Sequence, residues 1–364
     1  MRVVYDHRVF AGQPYGGIAR YFAEMAPRVA RLPGFDVAVL AFAHMNRYLR
    51  AAPAGLVRGV YVPHVRGTGA ARVRANDLAS RAWMRAARPA VVHETYYAAE
   101  SLAPRGTPSV VTVHDMIHEK LPHLFRRDDP TAATKAAAVR RADRVVCISE
   151  HTRRDLLDLV DVDPAKVSVV HLAQSIGRPS NGAAPARAAR PYLLYVGQRG
   201  AYKNFDGLLE AIAGAPALRD GFDLVAFGGG PFTDAEAARL RELGLERIVR
   251  QLSGGDDVLE ALYRDAAALV YPSLYEGFGI PLLEAMAAGC PVACSRESSL
   301  PEVAGDAAEY FDPAAPGAIA GALERVVLSP SRSAEMRAAG LRRERLFSWD
   351  RCAAETAAVY RTVT

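Results

Sequence analysis

"SLYEGFGIPLLEAMAAGCPV", residues 273–292, sets two glutamates, Glu276 and Glu284, eight positions apart around glycine, phenylalanine and proline. The apolar run just before it, "DAAALVYP" (265–272), reads as a short buried strand, and "PVACS" (291–295) reads as another. The helix between them is marked at both ends, with Pro281 in its first turn and Gly289 just past its last. Such a strand–loop–helix–strand unit builds a parallel sheet, in which ligands sit beyond the carboxyl ends of the strands. One carboxylate is therefore expected in the ligand-facing loop and the second inside the first helical turn.

The same alternation of short β-branched runs and alanine-rich helical segments runs through the whole chain, which predicts parallel sheets with crossover helices. In the first half, strands are expected at 2–5, 36–42, 90–93, 109–113, 144–148 and 167–171, and helices near 18–31, 131–141 and 150–159, the last capped by Ser149. "QSIGRPSNGAAPARAARP" (174–191) has a linker's composition. Strands restart at 192–197, 223–230, 247–252, 267–272 and 291–295. The 364 residues exceed one ordinary core, so two domains are expected: 1–175, a linker at 176–190, and 191–346.

Charge is unevenly shared. Residues 1–180 carry 26 Lys and Arg against 16 Asp and Glu, whereas the remainder carries 19 against 24. The densest basic stretch, 66–89, has six arginines and one acid, with Trp83 and Met84 among them. It reads as a solvated helix, with a surface for anionic headgroups or a phosphate-bearing acceptor as the sharper alternative. Nucleic acid is not expected, since no recognition motif accompanies the charge. No apolar run approaches the roughly 20 residues of a membrane span, and the first residues open as a strand rather than a signal peptide. Cys147, Cys290, Cys294 and Cys352 lack the spacing of a metal site, and reduced core cysteines of a cytoplasmic protein are expected.

Four loops after strands carry candidate chemistry. "YGGIAR" couples Gly16 and Gly17 to a helix start, which lets backbone amides approach a phosphate; a simple tight turn is the rival. "GQRGAYKN" (197–204) brings Arg199 and Lys203 beside a helix start that Asn204 can cap, a set suited to a diphosphate; its rival is a solvated loop. His114, in "VHDMIH" (113–118), follows a strand and can bond a ligand hydroxyl, and His93 occupies a similar place; for both, a satisfied structural histidine is the alternative. In "EGFGI", the amides of Gly277, Phe278 and Gly279 precede a helix, between two carboxylates able to accept from sugar hydroxyls. Together these loops suit a nucleotide–diphosphate–sugar. Paired acid and base for glycoside hydrolysis is the competing chemistry, disfavoured by so many phosphate-suited loops.

These stretches resemble glycosyltransferase family 4 over nearly the whole chain. Glu276 to Glu284 matches its E-x₇-E signature, and "SSLPEVAGDAAEYFDP" (298–313), "CISEHTRRDL" (147–156), "FGGGP" (227–231) and "VLEALYRDAAALVYPSLYEG" (258–277) are similar to the family as well. The resemblance implies the GT-B architecture: an α/β fold of two Rossmann-like doubly wound parallel-sheet domains facing across a cleft, with a tail helix (347–364) returning to the first. By that resemblance Glu276 and the amides of Gly277, Phe278, Gly279 and Ile280 hold the donor sugar, and Glu284 takes the ribose hydroxyls. Arg199 and Lys203 neutralise the diphosphate beside Gln198, with Gly16 and Gly17 supporting it from the other domain. His114 contacts the transferred sugar, and Arg250 and Leu252 border the nucleobase. The sequence departs from the family at Gln198, where an arginine is usual, and at "HLAQSIG" (171–177), where "NGVD" is common.

The expected activity is retaining hexosyl transfer from a nucleotide diphosphate sugar to a saccharide or lipid-linked acceptor, with GDP-mannose as the leading donor and surface polysaccharide as the product. No cofactor or metal is expected, because an Asp-x-Asp ligand pair is absent from the relevant places. The enzyme is expected in the cytoplasm, with peripheral contact to the inner membrane face through its basic first domain. A sugar-nucleotide epimerase of the same architecture, a phosphorylase-like enzyme with a lysine-bound pyridoxal cofactor and a non-catalytic nucleotide-sugar-binding partner are the alternatives.

Overall fold

In the computed structural model, which describes residues 1–176 and 190–364, every strand pairing is parallel. The valine- and alanine-rich runs dictate this, because strands covered by helices on both faces have no polar side to offer water. The chain divides into two units, 1–172 with 348–364, and 173–347.

The first unit holds β1 (Arg2–Tyr5), β2 (Asp36–His44), β3 (Val57–Tyr61), β4 (Val91–Glu94), β5 (Ser109–Val113), β6 (Arg144–Cys147) and β7 (Val167–Val169), in the order β3-β2-β1-β4-β5-β6-β7. The second holds β8 (Tyr192–Val196), β9 (Asp223–Phe227), β10 (Val249–Leu252), β11 (Ala268–Tyr271), β12 (Val292–Ser295) and β13 (Ala308–Phe311), in the order β10-β9-β8-β11-β12-β13. Both are doubly wound sheets whose order reverses beside the first strand, at β1/β4 and β8/β11.

β3 and β13 are strands that the hydrophobic pattern does not announce. β3, "VRGVY", is a sheet edge whose three middle residues are exposed, and the central Glu309 and Tyr310 of β13 are only half-buried. The basic stretch does form a helix, Gly69–Ala87. The segment 176–190, read as a linker, lies almost wholly outside the described residues.

The helix Trp349–Arg361 belongs to the first unit and packs on the helix Gly17–Val29. Its Tyr360 hydroxyl reaches the core, 2.9 Å from the Tyr5 hydroxyl and 2.6 Å from His93 Nδ1, and His93 Nε2 lies 2.8 Å from Thr112 Oγ1. His93 is thus the satisfied structural histidine of the two readings. All four cysteines are buried and unbonded. Among the described residues no helix is long and apolar enough to cross a membrane.

Candidate active site

In the second unit the loops after β8 and β11 meet where the strand order reverses. Their backbones are tied by the Leu274 amide, which donates to the Tyr202 carbonyl at 2.7 Å. Lys203 closes a short 3-10 turn after β8 and points its ammonium at the β11 loop, 2.5 Å from Glu276 Oε1 and 3.1 Å from the Tyr271 hydroxyl. Both side chains are nearly enclosed, with 13% and 10% exposure. Burial alone would depress the Lys203 pKa, but Glu276, Tyr271 and Tyr202 outweigh it and hold the ammonium charged well above the ordinary lysine value. The result is a fixed positive charge with an acidic partner at the mouth of the sheet.

Glu276 continues into a loop anchored from behind. The Glu276 amide donates to Ser298 Oγ at 2.8 Å, and Ser299 Oγ donates to the carbonyls of Glu276 and Phe278 at 2.9 and 3.0 Å. Gly277, Phe278 and Gly279 are consequently buried. Gly279 begins the helix Ile280–Ala287 with φ of 104°, and a Cβ there would stand 2.8 Å from Leu300 Cδ2. Gly279→Ala should therefore destabilise the protein by about 1–3 kcal/mol through backbone strain and overpacking. A chemical melt with an unchanged midpoint would contradict the tight loop described here. Glu284, in the second turn of that helix and 5% exposed, accepts from the buried Tyr263 hydroxyl at 2.9 Å. Glu276 and Glu284 thus flank the loop as the spacing predicts, Glu284 being one position deeper than the first turn.

Arg199 is placed otherwise than expected. Its side chain is 3% exposed, salt-bridged to Glu236 at 2.7 Å and donating to the carbonyls of Gly228, Gly229, Gly230 and Pro231. All three of those glycines have positive φ, so the guanidinium fixes a left-handed loop rather than standing ready for a diphosphate. Arg250, expected beside the nucleobase, is also placed otherwise. Its guanidinium pairs at 3.2 Å with Asp223, the first residue of β9, and so lies at the amino edge of the sheet, opposite a nucleobase position. Leu252 does end β10 at the carboxyl edge, its carbonyl accepting from the Gly228 amide at 3.0 Å. Gln198 is exposed between Gly197 and Arg199. Asn204 occupies the cap position of the next helix, but its Nδ2 donates to the Pro313 carbonyl instead of capping.

In the first unit Gly16 is the cap residue of the helix that Gly17 begins, as the sequence suggests. His114 follows β5 with its ring edge-on to Tyr21, centroids 5.3 Å apart, and among the described residues its Nε2 is buried without a partner. Burial drives its pKa down to about 4; Asp115 pulls the other way and Lys135 adds to the depression. The imidazole is therefore neutral near pH 7. Burial likewise lowers His93 to about 3. Both folded values lie below the ordinary histidine value of about 6.5, so the unfolded chain binds the extra protons. Their contribution to stability is present above about pH 6.5 and lost as pH falls toward their folded values. Thermal midpoints should drop steadily across that window, and less steeply in His114→Asn; parallel slopes in the two proteins would refute the assignment.

Two doubly wound units in one chain match the GT-B architecture, and known proteins of that architecture superpose on the whole chain. Sucrose-phosphate synthase from Thermosynechococcus elongatus matches with a TM-score of 0.78 at 20% identity, covering 100% of this chain and 98% of its own. WaaG, a glycosyltransferase involved in lipopolysaccharide biosynthesis, matches at 0.74 and 18%, covering 99% of each. The profile described as glycosyl transferases group 1 matches residues 182–343, and that of Glycosyltransferase Family 4 matches residues 15–173. O-antigen chain mannosyltransferase B of Escherichia coli is 32% identical over 70% of this chain and 70% of its own length. D-inositol 3-phosphate glycosyltransferase of Streptomyces avermitilis is 30% identical over 95% and 82%. The chain belongs to glycosyltransferase family 4 and is a glycosyltransferase.

Proposed function

We propose that the enzyme moves a hexose, mannose from GDP-mannose in the first instance, onto a hydroxyl of a saccharide or lipid-linked acceptor in the synthesis of a surface polysaccharide, with retention at the anomeric carbon. The observation that carries this reading is the enclosed Lys203–Glu276 pair where β8 and β11 diverge. The preference for mannose draws on relatives named as mannosyltransferases at 31–32% identity.

Lys203 meets the diphosphate as the bond to the sugar breaks and positive charge grows on the ring, a charge interaction stronger in the transition state than in the ground state. Glu276 and the loop amides up to Ile280 hold the sugar, Glu284 accepts from the ribose hydroxyls, and Leu252 borders the base. Arg199 is a positioning residue that shapes the triple-glycine loop. In the first unit, Gly16 and Gly17 offer helix-start amides to phosphate, and His114 Nε2 bonds a hydroxyl of the transferred sugar. A phosphate oxygen of the leaving group takes the acceptor proton, and the step uses no metal or other cofactor. We place the enzyme in the cytoplasm, touching the inner membrane face through its basic first unit.

Thermal-shift titration against GDP-mannose, GDP, UDP-glucose and UDP-N-acetylglucosamine tests the donor. At 100 times its dissociation constant a true donor adds roughly 2.7 kcal/mol, and GDP-mannose is expected to give the largest shift. A larger shift with a UDP-sugar would reject mannose while keeping transfer. Epimerised donor formed without any acceptor would reject transfer itself.

A further inference from the structure

The inward positions of the helix Gly69–Ala87 are Arg72, Asn76, Ser80 and Met84, spaced every four residues and mostly polar where an apolar stripe is usual. Two of the polar ones are accounted for. Asn76 accepts from the Ala43 amide at 3.1 Å and donates to the Ala43 carbonyl at 3.0 Å, and Ser80 Oγ lies 3.4 Å from His7 Nδ1. Arg72 is not accounted for. It is 8% exposed, and among the described residues its Nε and Nη1 are buried without a hydrogen-bond partner and no carboxylate pairs with it. A buried guanidinium with idle donors is costly unless an anion completes it. Residues 37–76 contain six arginines and neither Asp nor Glu, and the next acid along the helix, Asp77, faces His7 Nε2 at 3.4 Å instead.

Placement follows from Asn76. Ala43 is the penultimate residue of β2. Arg72 precedes Asn76 by four residues, about 6 Å of helix, or roughly two strand residues beyond Ala43. That is past the carboxyl end of β2. Helical Cα–Cβ bonds tilt toward the amino terminus, which directs the stem of Arg72 toward the helix's own first turn. The amides of that turn lack a side-chain cap, because Thr68 Oγ1 donates instead to the Val65 carbonyl at 2.8 Å. Uncapped amides, the positive end of the helix dipole and two idle guanidinium donors suit a phosphate oxygen pair.

We propose that Arg72 and the start of the Gly69–Ala87 helix form an anion site in the first unit that takes a phosphate or diphosphate group of the acceptor. The proposal rests on the transferase reading for the word acceptor only; anion binding is tested without it.

Inorganic phosphate, pyrophosphate and geranyl diphosphate are titrated at constant ionic strength, in full-length protein carrying Lys203→Ala so that the donor loop does not supply the signal. The chain with Arg72 intact is expected to bind pyrophosphate and gain thermal stability. Adding Arg72→Met should weaken that binding about tenfold or more, while the ligand-free melting temperature stays level or rises, since an unpaired buried charge is removed. Arg72→Lys keeps the charge but not the forked donors, and should fold and still lose most of the affinity. Equal responses to pyrophosphate and geranyl diphosphate would support recognition of the phosphates alone. A stronger response to geranyl diphosphate would support a lipid-linked source. Unchanged pyrophosphate affinity in both Arg72 variants, or a lowered melting temperature in Arg72→Met with no pyrophosphate response in its parent, overturns the proposal. Donor binding, followed separately by nucleotide-sugar titration of Arg72→Met with Lys203 restored, is expected to be unaffected and reports on the transferase reading by itself.

Discussion

Replacing Lys203 with alanine is expected to lower kcat for glycosyl transfer about 10²–10³-fold, the loss typical when one preorganised charge contact to a transition state is removed. The ammonium is held by Glu276 and Tyr271 rather than swinging in solvent, so under the proposed function it needs no reorganisation to meet the leaving diphosphate. The substitution also leaves Glu276, 8% exposed, without its cation, which should cost about 1–3 kcal/mol after allowing for partial exposure. The variant is expected to fold, with a lower melting temperature and an unchanged circular dichroism spectrum at 25 °C. The wild-type pair itself should hold across neutral pH. A lysine raised in the folded state contributes fully below its unfolded value of about 10.4 and loses that contribution only as pH rises through the folded one. Undiminished turnover in Lys203→Ala would remove the central element of the mechanism.

His114→Asn should reduce kcat about 10–100-fold, the equivalent of one hydrogen bond of 1.5–3 kcal/mol, while the nucleotide alone still binds with wild-type affinity. Among the described residues the Nε2 atom is buried without a partner, so the hydrogen bond proposed to a sugar hydroxyl would break no internal one. Because burial drives its pKa down to about 4, the wild-type rate should show no histidine inflection near pH 6.5. An inflection there that vanished in His114→Asn would mean the ring titrates as an exposed imidazole, contrary to its buried position.

The sequence exposed the strands that carry β-branched or apolar runs, such as "VVTV" before His114 and "ALVY" before Glu276, because full burial leaves no polar alternation to misread. It concealed β3, whose edge position tolerates Arg58 and Gly59 in the strand itself. The Glu276–Glu284 unit was legible from local spacing, since helix start, loop and both acids fall within one short segment. The role of Arg199 was not. Its partner Glu236 lies 37 residues away, and no local pattern distinguishes an arginine that braces a loop from one that meets solvent. Arg250 was assigned to its strand correctly, but the direction of a long side chain along a strand depends on Asp223 in the neighbouring one. The arginine-rich stretch at 66–89 looked like a solvated face because charge counts do not record which turn points inward; Arg72 does.

The Trp349–Arg361 helix, whose Tyr360 bonds His93 and Tyr5, follows the whole of residues 173–347. On the ribosome the second unit is therefore complete while the first still lacks its closing piece. Until translation passes Tyr360, a nascent chain carries His93 and the Tyr5 hydroxyl uncovered along one flank of its earliest-made sheet. Chaperone dependence, and sensitivity to truncation ahead of Tyr360, should accordingly concentrate in the unit that was started first.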